Sequence, residues 1–251
     1  MEGSIDIAIN NHIAEITFSH PAHNSMPGHL LDALAVQIKE AGASTDVHVI
    51  VLRSGGDRTF CAGASFDELM KIKNASDGKT FFLGFTKVIN AIRLCPKIVI
   101  GRVQGKAIGG GVGIASAVDY CMATKYGSIK LSELALGIGP FVIGPAVERK
   151  VGLSASSQMA INATEWQTAE WAKQKGLYHE VFDSVEQLDA YLAEFSKTLA
   201  AMSTSAMHAL KQVLWHDTEH WGDLLDERAA ISGRLVITEA AQAAIRAVKN
   251  T

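Results

Sequence analysis

The sequence has 251 residues, of which 48% are hydrophobic and 20% charged, and its formal net charge is −3. A chain of this length and hydrophobic content can bury a large core and is too apolar to be disordered, so we expect one domain or one domain with a small appendage. The pI near 6.3 and the lack of a dense Lys/Arg run argue against nucleic acid or an anionic membrane as partner.

Targeting signals are weak. The longest apolar runs, around residues 107–118 and 134–147, are shorter than the roughly 20 residues that a spanning helix needs, and they are rich in glycine. The first ten residues contain two acids and no basic residue, which argues against export. Three cysteines, an odd number without C-x-x-C spacing, indicate a reducing compartment. We therefore expect a cytoplasmic protein without a membrane span.

The first elements form a predicted β-hairpin. Residues 5–9 and 13–18 alternate apolar and polar side chains, as half-buried strands do. Asn10 and Asn11 lie between them, and asparagine tolerates the positive φ of a tight turn.

Helices and strands then alternate. Residues 30–41 repeat apolar side chains at helical spacing up to Gly42, and residues 47–52 form a short β-branched run. A second helical pattern over residues 81–92 ends before a proline, and residues 98–103 are again typical of a strand. This alternation predicts a mainly parallel sheet with crossover helices.

The last third is predicted to be mostly helical and to pack as an appendage on the α/β core. One short extended segment is expected there, over residues 178–182. Helical periodicity covers residues 154–162, 169–175, 185–202, 205–215 and 225–248.

Two glycine-bearing turns and one acid stand out chemically. Residues 60–65 and 107–113 each follow a strand and lead into a helical pattern. The first N–H groups of a helix have no partners within the helix, so such turns can bind an anion or a developing oxyanion, although most glycine turns are only turns. Glu133 lies in an apolar context, either as a solvated residue or as a partly buried acid with a raised pKa.

Other chemistries have weaker support. The glycines at 109–113, with Glu133 about 20 residues on, partly match a dinucleotide-binding fingerprint but lack its last glycine or alanine. His216 and His220 are four residues apart without a third ligand, so we predict no metal site. Ser132 lacks a G-x-S-x-G frame and Cys61 has no nearby base, which leaves nucleophilic catalysis unsupported.

Five motifs, in order and at consistent spacing, resemble those of the crotonase (enoyl-CoA hydratase/isomerase) superfamily along nearly the whole chain. They are HPAHNSM at 20–26, FCAGASFDEL at 60–69, VQGKAIGGG at 103–111, SELALG at 132–137 and GLYHEV at 176–181.

The resemblance implies an α/β fold, a crotonase-like spiral of ββα units followed by a C-terminal helical trimerisation region. We place the core with the active site in residues 1–190 and the helical region in residues 191–251. The implied assembly is a homotrimer or a dimer of trimers. The implied substrate is an acyl-CoA thioester, with coenzyme A as part of the substrate and no other cofactor.

The resemblance also implies roles for individual residues. The backbone N–H groups of Ala64 and Gly110 correspond to the two donors that hold the thioester oxygen and stabilise its enolate, as fixed donors in a dry pocket do. Glu133 corresponds to the acid/base. The expected substrate-binding residues are His23, facing the CoA phosphates, and Ala62, Ser65, Phe66 and Asp67 beside the coenzyme; Phe141 is a candidate for the acyl pocket.

One departure from the family pattern bears on the reaction. The hydratases use two glutamates to hold and activate water, and the first of these corresponds to Gly113. The expected function is enoyl-CoA hydratase/isomerase-type chemistry through a thioester enolate. The overall resemblance extends this expectation to a branched substrate such as methylglutaconyl-CoA. The alternatives are a single-glutamate isomerase or decarboxylase, or a non-hydrating acyl-CoA-binding homologue. Asp67 or Glu68 would supply a second carboxylate only if the following loop covers the pocket.

Overall fold

The computed structural model describes residues 2–249. Its strands, in chain order, are β1 (Ser4–Asn10), β2 (Ile13–Ser19), β3 (Val49–Ser54), β4 (Thr59–Cys61), β5 (Ile98–Val103), β6 (Lys106–Ile108), β7 (Tyr120–Thr124), β8 (Ile129–Lys130) and β9 (Glu180–Phe182). They form a six-stranded sheet in the order β1-β2-β3-β5-β7-β9 and a three-stranded sheet in the order β4-β6-β8. All pairings except the β1-β2 hairpin are parallel, which confirms the predicted mainly parallel sheet.

The helices that connect and cover these strands are α1 (Gly28–Ala43), α2 (Phe66–Leu69), α3 (Ala75–Leu94), α4 (Gly110–Ala117), α5 (Gly144–Ile161), α6 (Ala169–Gln174), α7 (Val185–Ala200), α8 (Thr204–Leu214), α9 (Trp221–Val236) and α10 (Glu239–Lys249). A short 3₁₀ helix spans Leu134–Leu136. No helix within residues 2–249 is both long and apolar enough to cross a membrane.

A repeated unit generates the fold. In each unit a strand of the large sheet is followed by a strand of the small sheet and then by helix: β3-β4 precede α2 and α3, and β5-β6 precede α4. Because β4, β6 and β8 are parallel neighbours, their carboxyl ends meet at one edge of the small sheet. The segments after Cys61, Ile108 and Lys130 therefore converge there.

The first hairpin is confirmed, but its turn lies one residue further along than predicted. Asn10 pairs with Ile13, so the two turn residues are Asn11 and His12, with φ of 50° and 64°. Two consecutive positive φ values match the right-handed twist of the flanking strands. The prediction of Asn10 and Asn11 was wrong because the pairing continues through Asn10.

Two predicted helix limits were also wrong. Gly42 lies inside α1 rather than after it, since the Ser44 N–H still donates to the Glu40 and Ala41 carbonyls. A side chain at position 42 would come within 2.8 Å of Cys95 Sγ. Glycine is thus required for close packing at this position and not for ending the helix. The single helix predicted over residues 225–248 is two helices, α9 and α10, and Thr238 accepts a hydrogen bond from the Ala241 N–H at the start of α10.

Helices pack on both faces of the large sheet. The main core lies under α1, α3 and α9, and a smaller cluster joins the other face to α7 and α8. The predicted boundary at residue 190 falls inside α7. A buried ion pair ties α8 to the sheet, because Lys211 Nζ lies 2.7 Å from Asp119 Oδ2, and the same carboxylate accepts from the Val99 N–H and from Trp215 Nε1.

Candidate active site

The converging segments line a cavity of about 380 Å³. Most of its wall is apolar and comes from α3, from residues 134–143 and from the glycine turns. Two residues of the C-terminal helices, Ser232 and Val248, also line it. Of the nine catalytic and substrate-binding residues expected from the family resemblance, six line this cavity: Ala62, Ala64, Phe66, Gly110, Glu133 and Phe141.

The two glycine turns touch each other. A Cβ atom on Gly63 would lie 3.3 Å from the Gly110 nitrogen, so the turn after β4 packs directly on the start of α4. Met26 fixes the first turn by donating to the Gly63 carbonyl at 2.8 Å and accepting from the Ser65 N–H at 3.4 Å. These bonds bypass Ala64, whose N–H has no acceptor among residues 2–249.

The second turn starts a buried helix. Gly109 has φ 52° and ψ −118°, which a residue with a side chain rarely adopts, and its carbonyl accepts the N–H groups of Val112 and Gly113. Gly110 is the first helical residue, so its N–H has no partner within α4, and no other described residue accepts it. The N–H groups of Ala64 and Gly110 are thus both available at the cavity wall.

Glu133 follows β8 and precedes the 3₁₀ helix. Its carbonyl accepts from the Leu136 and Ile138 N–H groups at 3.1 and 3.0 Å, which fixes the backbone. The carboxyl group faces the second turn, because a Cβ on Gly109 would lie 2.7 Å from Glu133 Oε1. Oε2 is buried without a hydrogen-bond partner among the described residues. Burial raises the pKa of Glu133 to about 7. The solvated interpretation of Glu133 was therefore wrong.

Another side chain fills the space beside Gly113, the position at which the family resemblance leads us to expect a glutamate. Gly113 lies inside α4, and a Cβ atom there would fall 2.3 Å from Ile143 Cγ2 and 2.6 Å from Ile143 Cβ. The isoleucine is buried and lines the cavity. Any side chain at position 113 would need the space that Ile143 occupies, so an apolar side chain stands where the family pattern has an acid.

Neither acid of α2 supplies a second carboxylate to the cavity. Glu68 Oε2 accepts the Gly28 N–H at 2.8 Å, and thereby caps the start of α1. Asp67 is exposed and does not line the cavity. Among the described residues, Glu133 is the one acid in the wall.

Three expected substrate-binding residues, His23, Ser65 and Asp67, lie outside the cavity wall. His23 is exposed with φ 54°, and its carbonyl accepts the Ala62 N–H, so it adjoins the wall through the backbone. Ser65 is buried at the start of α2, where its carbonyl accepts the Glu68 and Leu69 N–H groups. Phe141, the candidate for the acyl pocket, lines the cavity, and so does Phe82 of α3.

Lys130 and Ile143 also line the cavity and were not predicted from the sequence. Lys130 is the last residue of β8, and Ile143 precedes α5. Neither belongs to a recognisable motif. The one available signal was the position of Lys130 at the end of the strand that leads to Glu133.

The buried carboxyl predicts an effect on stability. Because the folded state raises the pKa of Glu133 from 4.5 to about 7, it favours the protonated form, and this contribution to stability is complete below about pH 4.5 and is lost as the pH rises through 7. From pH 5 to pH 8, we expect the unfolding free energy of Glu133→Gln to rise by about 1–3 kcal/mol relative to that of the natural protein. Denaturant unfolding at both values measures this change, and a difference independent of pH would contradict it.

Comparison with known proteins gives the family. The chain matches the family model described as enoyl-CoA hydratase/isomerase over residues 8–241. It is 31% identical over 209 residues to a 2,3-dehydroadipyl-CoA hydratase of Escherichia coli (strain K12), covering 81% of this chain and 78% of that one. It is 30% identical over 189 residues to a peroxisomal Δ(3,5)-Δ(2,4)-dienoyl-CoA isomerase of Arabidopsis thaliana, covering 69% and 66%.

The fold agrees with solved structures. The crystal structure of an enoyl-CoA hydratase from Bacillus halodurans superposes with a TM-score of 0.88 at 21% identity, covering 97% of this chain and 99% of that one. This likeness confirms the expected crotonase fold with its C-terminal helices. The extent of the family match shows that the chain is a member of the crotonase superfamily, the enoyl-CoA hydratase/isomerase family of enzymes.

Proposed function

We propose that this enzyme moves a proton between two carbons of an acyl-CoA thioester through a thioester enolate, as a 3-enoyl-CoA to 2-enoyl-CoA isomerase. The observation that carries the proposal is the contact between Gly113 and Ile143, which leaves Glu133 as the one acid in the described cavity wall. Adding water to an alkene needs a group that positions or deprotonates the water and a proton source at the α carbon. Shuttling a proton needs only one acid.

Glu133 alone can carry out both proton transfers of the proposed reaction. Its carboxylate removes a proton from C2 of a 3-enoyl-CoA, and the electrons move into a dienolate whose negative charge rests on the thioester oxygen. The N–H groups of Ala64 and Gly110 stabilise that oxygen, because donors fixed in place before the reaction need no reorganisation. The protonated Glu133 then returns the proton at C4, which moves the double bond from C3–C4 to C2–C3. The reaction consumes no other reagent, so we propose no cofactor beyond the coenzyme A of the substrate.

The test is to compare 3-enoyl-CoA and 2-enoyl-CoA thioesters of equal chain length. We expect the enzyme to convert the 3-enoyl thioester to the conjugated 2-enoyl thioester, which is monitored by the absorbance of the product. Hydration of the 2-enoyl thioester should be far slower than this isomerisation. Hydration of the 2-enoyl thioester at a rate equal to isomerisation would contradict the proposal. Binding of both thioesters without turnover would favour a non-catalytic acyl-CoA-binding protein, and loss of a carboxyl group from a malonyl-type thioester would favour a decarboxylase.

The pH dependence of the rate shows whether Glu133 acts first as a base or as a proton donor. Since the base must be ionised in the free enzyme and burial raises the pKa of Glu133 to about 7, we expect kcat/KM for the 3-enoyl thioester to rise with pH up to about 7 and then level off. A hydratase that uses Glu133 as the proton donor would instead lose activity above pH 7. A pH profile between 5 and 9 separates the two.

We also propose a homotrimer in the reducing cytoplasm. The exposed face of α8 supports the assembly, because Leu210, Val213 and Leu214 are 54%, 67% and 51% exposed at helical spacing, which is unusual for a face in water. The three cysteines, all free and buried, are compatible with a reducing compartment. Light scattering coupled to size-exclusion chromatography tests the trimer, and a monomer would contradict it.

A further inference from the structure

The motif at residues 20–26 takes no part in the proposed proton transfer, but it contains an asparagine whose side chain is bonded at its nitrogen and at its oxygen. Asn24 Nδ2 donates to the carbonyls of Gly55 and Thr59, at 2.8 Å each, and Oδ1 accepts the His20 N–H at 2.9 Å. Only 6% of the residue is exposed. Because breaking these bonds would leave buried polar groups unpaired, Asn24 ties its own segment to the connection between β3 and β4.

The backbone of this segment has an unusual conformation. His23 and Asn24 have φ of 54° and 56°, in the left-handed region, which asparagine tolerates better than most residues with a side chain. Two successive residues of this kind are costly unless the surrounding structure determines them. The three bonds of the Asn24 side chain supply that constraint, so they hold residues 23–26 in one conformation.

Met26, two residues further on, controls the direction of one of the proposed oxyanion donors. Its N–H donates to the Gly63 carbonyl at 2.8 Å, and Met26 pairs with Ala64 as an isolated parallel bridge. Because the peptide between Gly63 and Ala64 is planar and trans, its carbonyl and its N–H point in opposite directions. The hydrogen bond that fixes the Gly63 carbonyl therefore also fixes the direction of the Ala64 N–H.

This constraint matters because position 63 is a glycine. Gly63 has φ 82°, and without a side chain its backbone has more freedom to rotate than that of other residues. Without the bond from Met26, the peptide would be free to turn and to take the Ala64 N–H out of its present direction. The direction of this donor thus depends on a series of contacts from Asn24 through residues 23–26 to Gly63.

We propose that Asn24 is a positioning residue for the oxyanion site, which keeps the Ala64 N–H in place for the thioester oxygen by holding residues 23–26 against the turn after β4. This inference rests on the proposed role of Ala64 in the enolate reaction. Neither Asn24 nor Met26 lines the cavity, so Asn24 acts through the backbone and not on the substrate. A donor fixed before the reaction stabilises the developing charge more than the uncharged thioester, so losing Asn24 should lower kcat more than it raises KM.

Asn24→Gly tests the proposal, because glycine keeps the positive φ and removes all three side-chain bonds. We expect kcat for 3-enoyl-CoA isomerisation to fall about 10- to 100-fold, less than the roughly 10²- to 10³-fold loss expected for a whole donor, while KM changes less than about threefold. Asn24→Asp keeps the size and the acceptor for the His20 N–H but cannot donate to Gly55 and Thr59, and it should show the same split between kcat and KM.

A spectroscopic measurement reports on the donor without any turnover. Butyryl-CoA is saturated and cannot isomerise, and a carbon-13 label at its thioester carbon makes the carbonyl band visible in isotope-edited infrared spectra. Hydrogen bonds to the oxygen weaken the carbonyl bond, so we expect the natural protein to shift this band to a lower frequency than in free butyryl-CoA. At saturating ligand, Asn24→Gly and Asn24→Asp should lose part of this shift.

Gln104→Ala is the matched control. Gln104 is also a buried amide, and it donates to the same Thr59 carbonyl at 3.2 Å and to Ser54 Oγ at 2.9 Å. Its side-chain bonds within residues 2–249 do not reach residues 20–26, and it lies outside the cavity wall. We expect this variant to lose stability in denaturant unfolding but to keep the natural kcat and the natural carbonyl frequency.

Natural kcat and natural carbonyl frequency in the two Asn24 variants would overturn the proposal. So would an equal loss in Gln104→Ala, because any loosening of the β3–β4 connection would then have the same effect. Absence of a shift in the natural protein would overturn it as well, because the thioester oxygen would then have no donor to position. A shift that the Asn24 variants lose, in a protein that turns over no enoyl thioester, would support the role of Asn24 and refute the proposed isomerase.

Discussion

Glu133→Gln is expected to lower kcat for isomerisation of a 3-enoyl-CoA by about 10² to 10⁴, the usual contribution of a positioned acid/base. Glutamine has nearly the same shape but cannot take up the C2 proton. No other acid among the described residues lines the cavity to replace it. Because the two backbone donors stay in place, KM should change much less than kcat. Steady-state rates of conjugated thioester formation measure both quantities.

Glu68→Gln is the control for this substitution. Glu68 belongs to a neighbouring segment, but its carboxylate caps α1 through the Gly28 N–H and lies outside the cavity wall. We expect this variant to isomerise at the natural rate and to lose at most about 1 kcal/mol of unfolding free energy, because glutamine keeps an oxygen that can accept the Gly28 N–H and loses only the charge at the helix N-terminus. Equal activity of Glu133→Gln and the natural protein would refute the acid/base assignment.

The sequence pattern predicted strands near β1, β2, β3, β5 and β9 of the large sheet, but it missed β7 and all three strands of the small sheet. The apolar runs of β3 and β5 are long enough to show a β-branched signature, and the predicted strand at residues 98–103 coincides with β5. By contrast, β6 and β8 contain three and two residues, too few for any period to be visible. The spiral of ββα units could be expected only from the family resemblance, because its second sheet is built from such short strands.

The candidate site divides in the same way. The glycine turns and Glu133 can be recognised from the local sequence, since small residues after a strand and an acid within an apolar run are distinctive patterns. The Gly113–Ile143 contact and the Asn24–Thr59 hydrogen bond each join residues about 30 or more positions apart. Local periodicity contains no information on such pairs. The substitution of glycine at 113 was visible, but the side chain that fills its space was not.

The contact between Gly113 and Ile143 predicts that a hydratase site requires two simultaneous changes. Gly113→Glu alone must displace Ile143, and overpacking of this kind costs about 1–3 kcal/mol or more, so the variant should be destabilised and inactive in hydration. Ile143→Gly alone opens a cavity and should cost about 2–5 kcal/mol, with no gain of a second acid. In the double variant the glutamate side chain can enter the space that Ile143 vacates, and Ile143 lines the same cavity as Glu133.

We expect the double variant to hydrate 2-enoyl-CoA at least about 100-fold faster than either single variant, because a second acid can then hold and activate water. Its loss of unfolding free energy should be smaller than the sum of the two single losses, as for residues that share one cavity. Product analysis of 2-enoyl-CoA turnover and denaturant unfolding of all four proteins measure these two effects separately. Additive stability losses would show that the two side chains do not compete for the same space. Additive losses together with unchanged hydration would remove the physical basis for a single-acid reaction, because the exclusion of a second carboxylate by Ile143 is what separates isomerisation from hydration in this cavity.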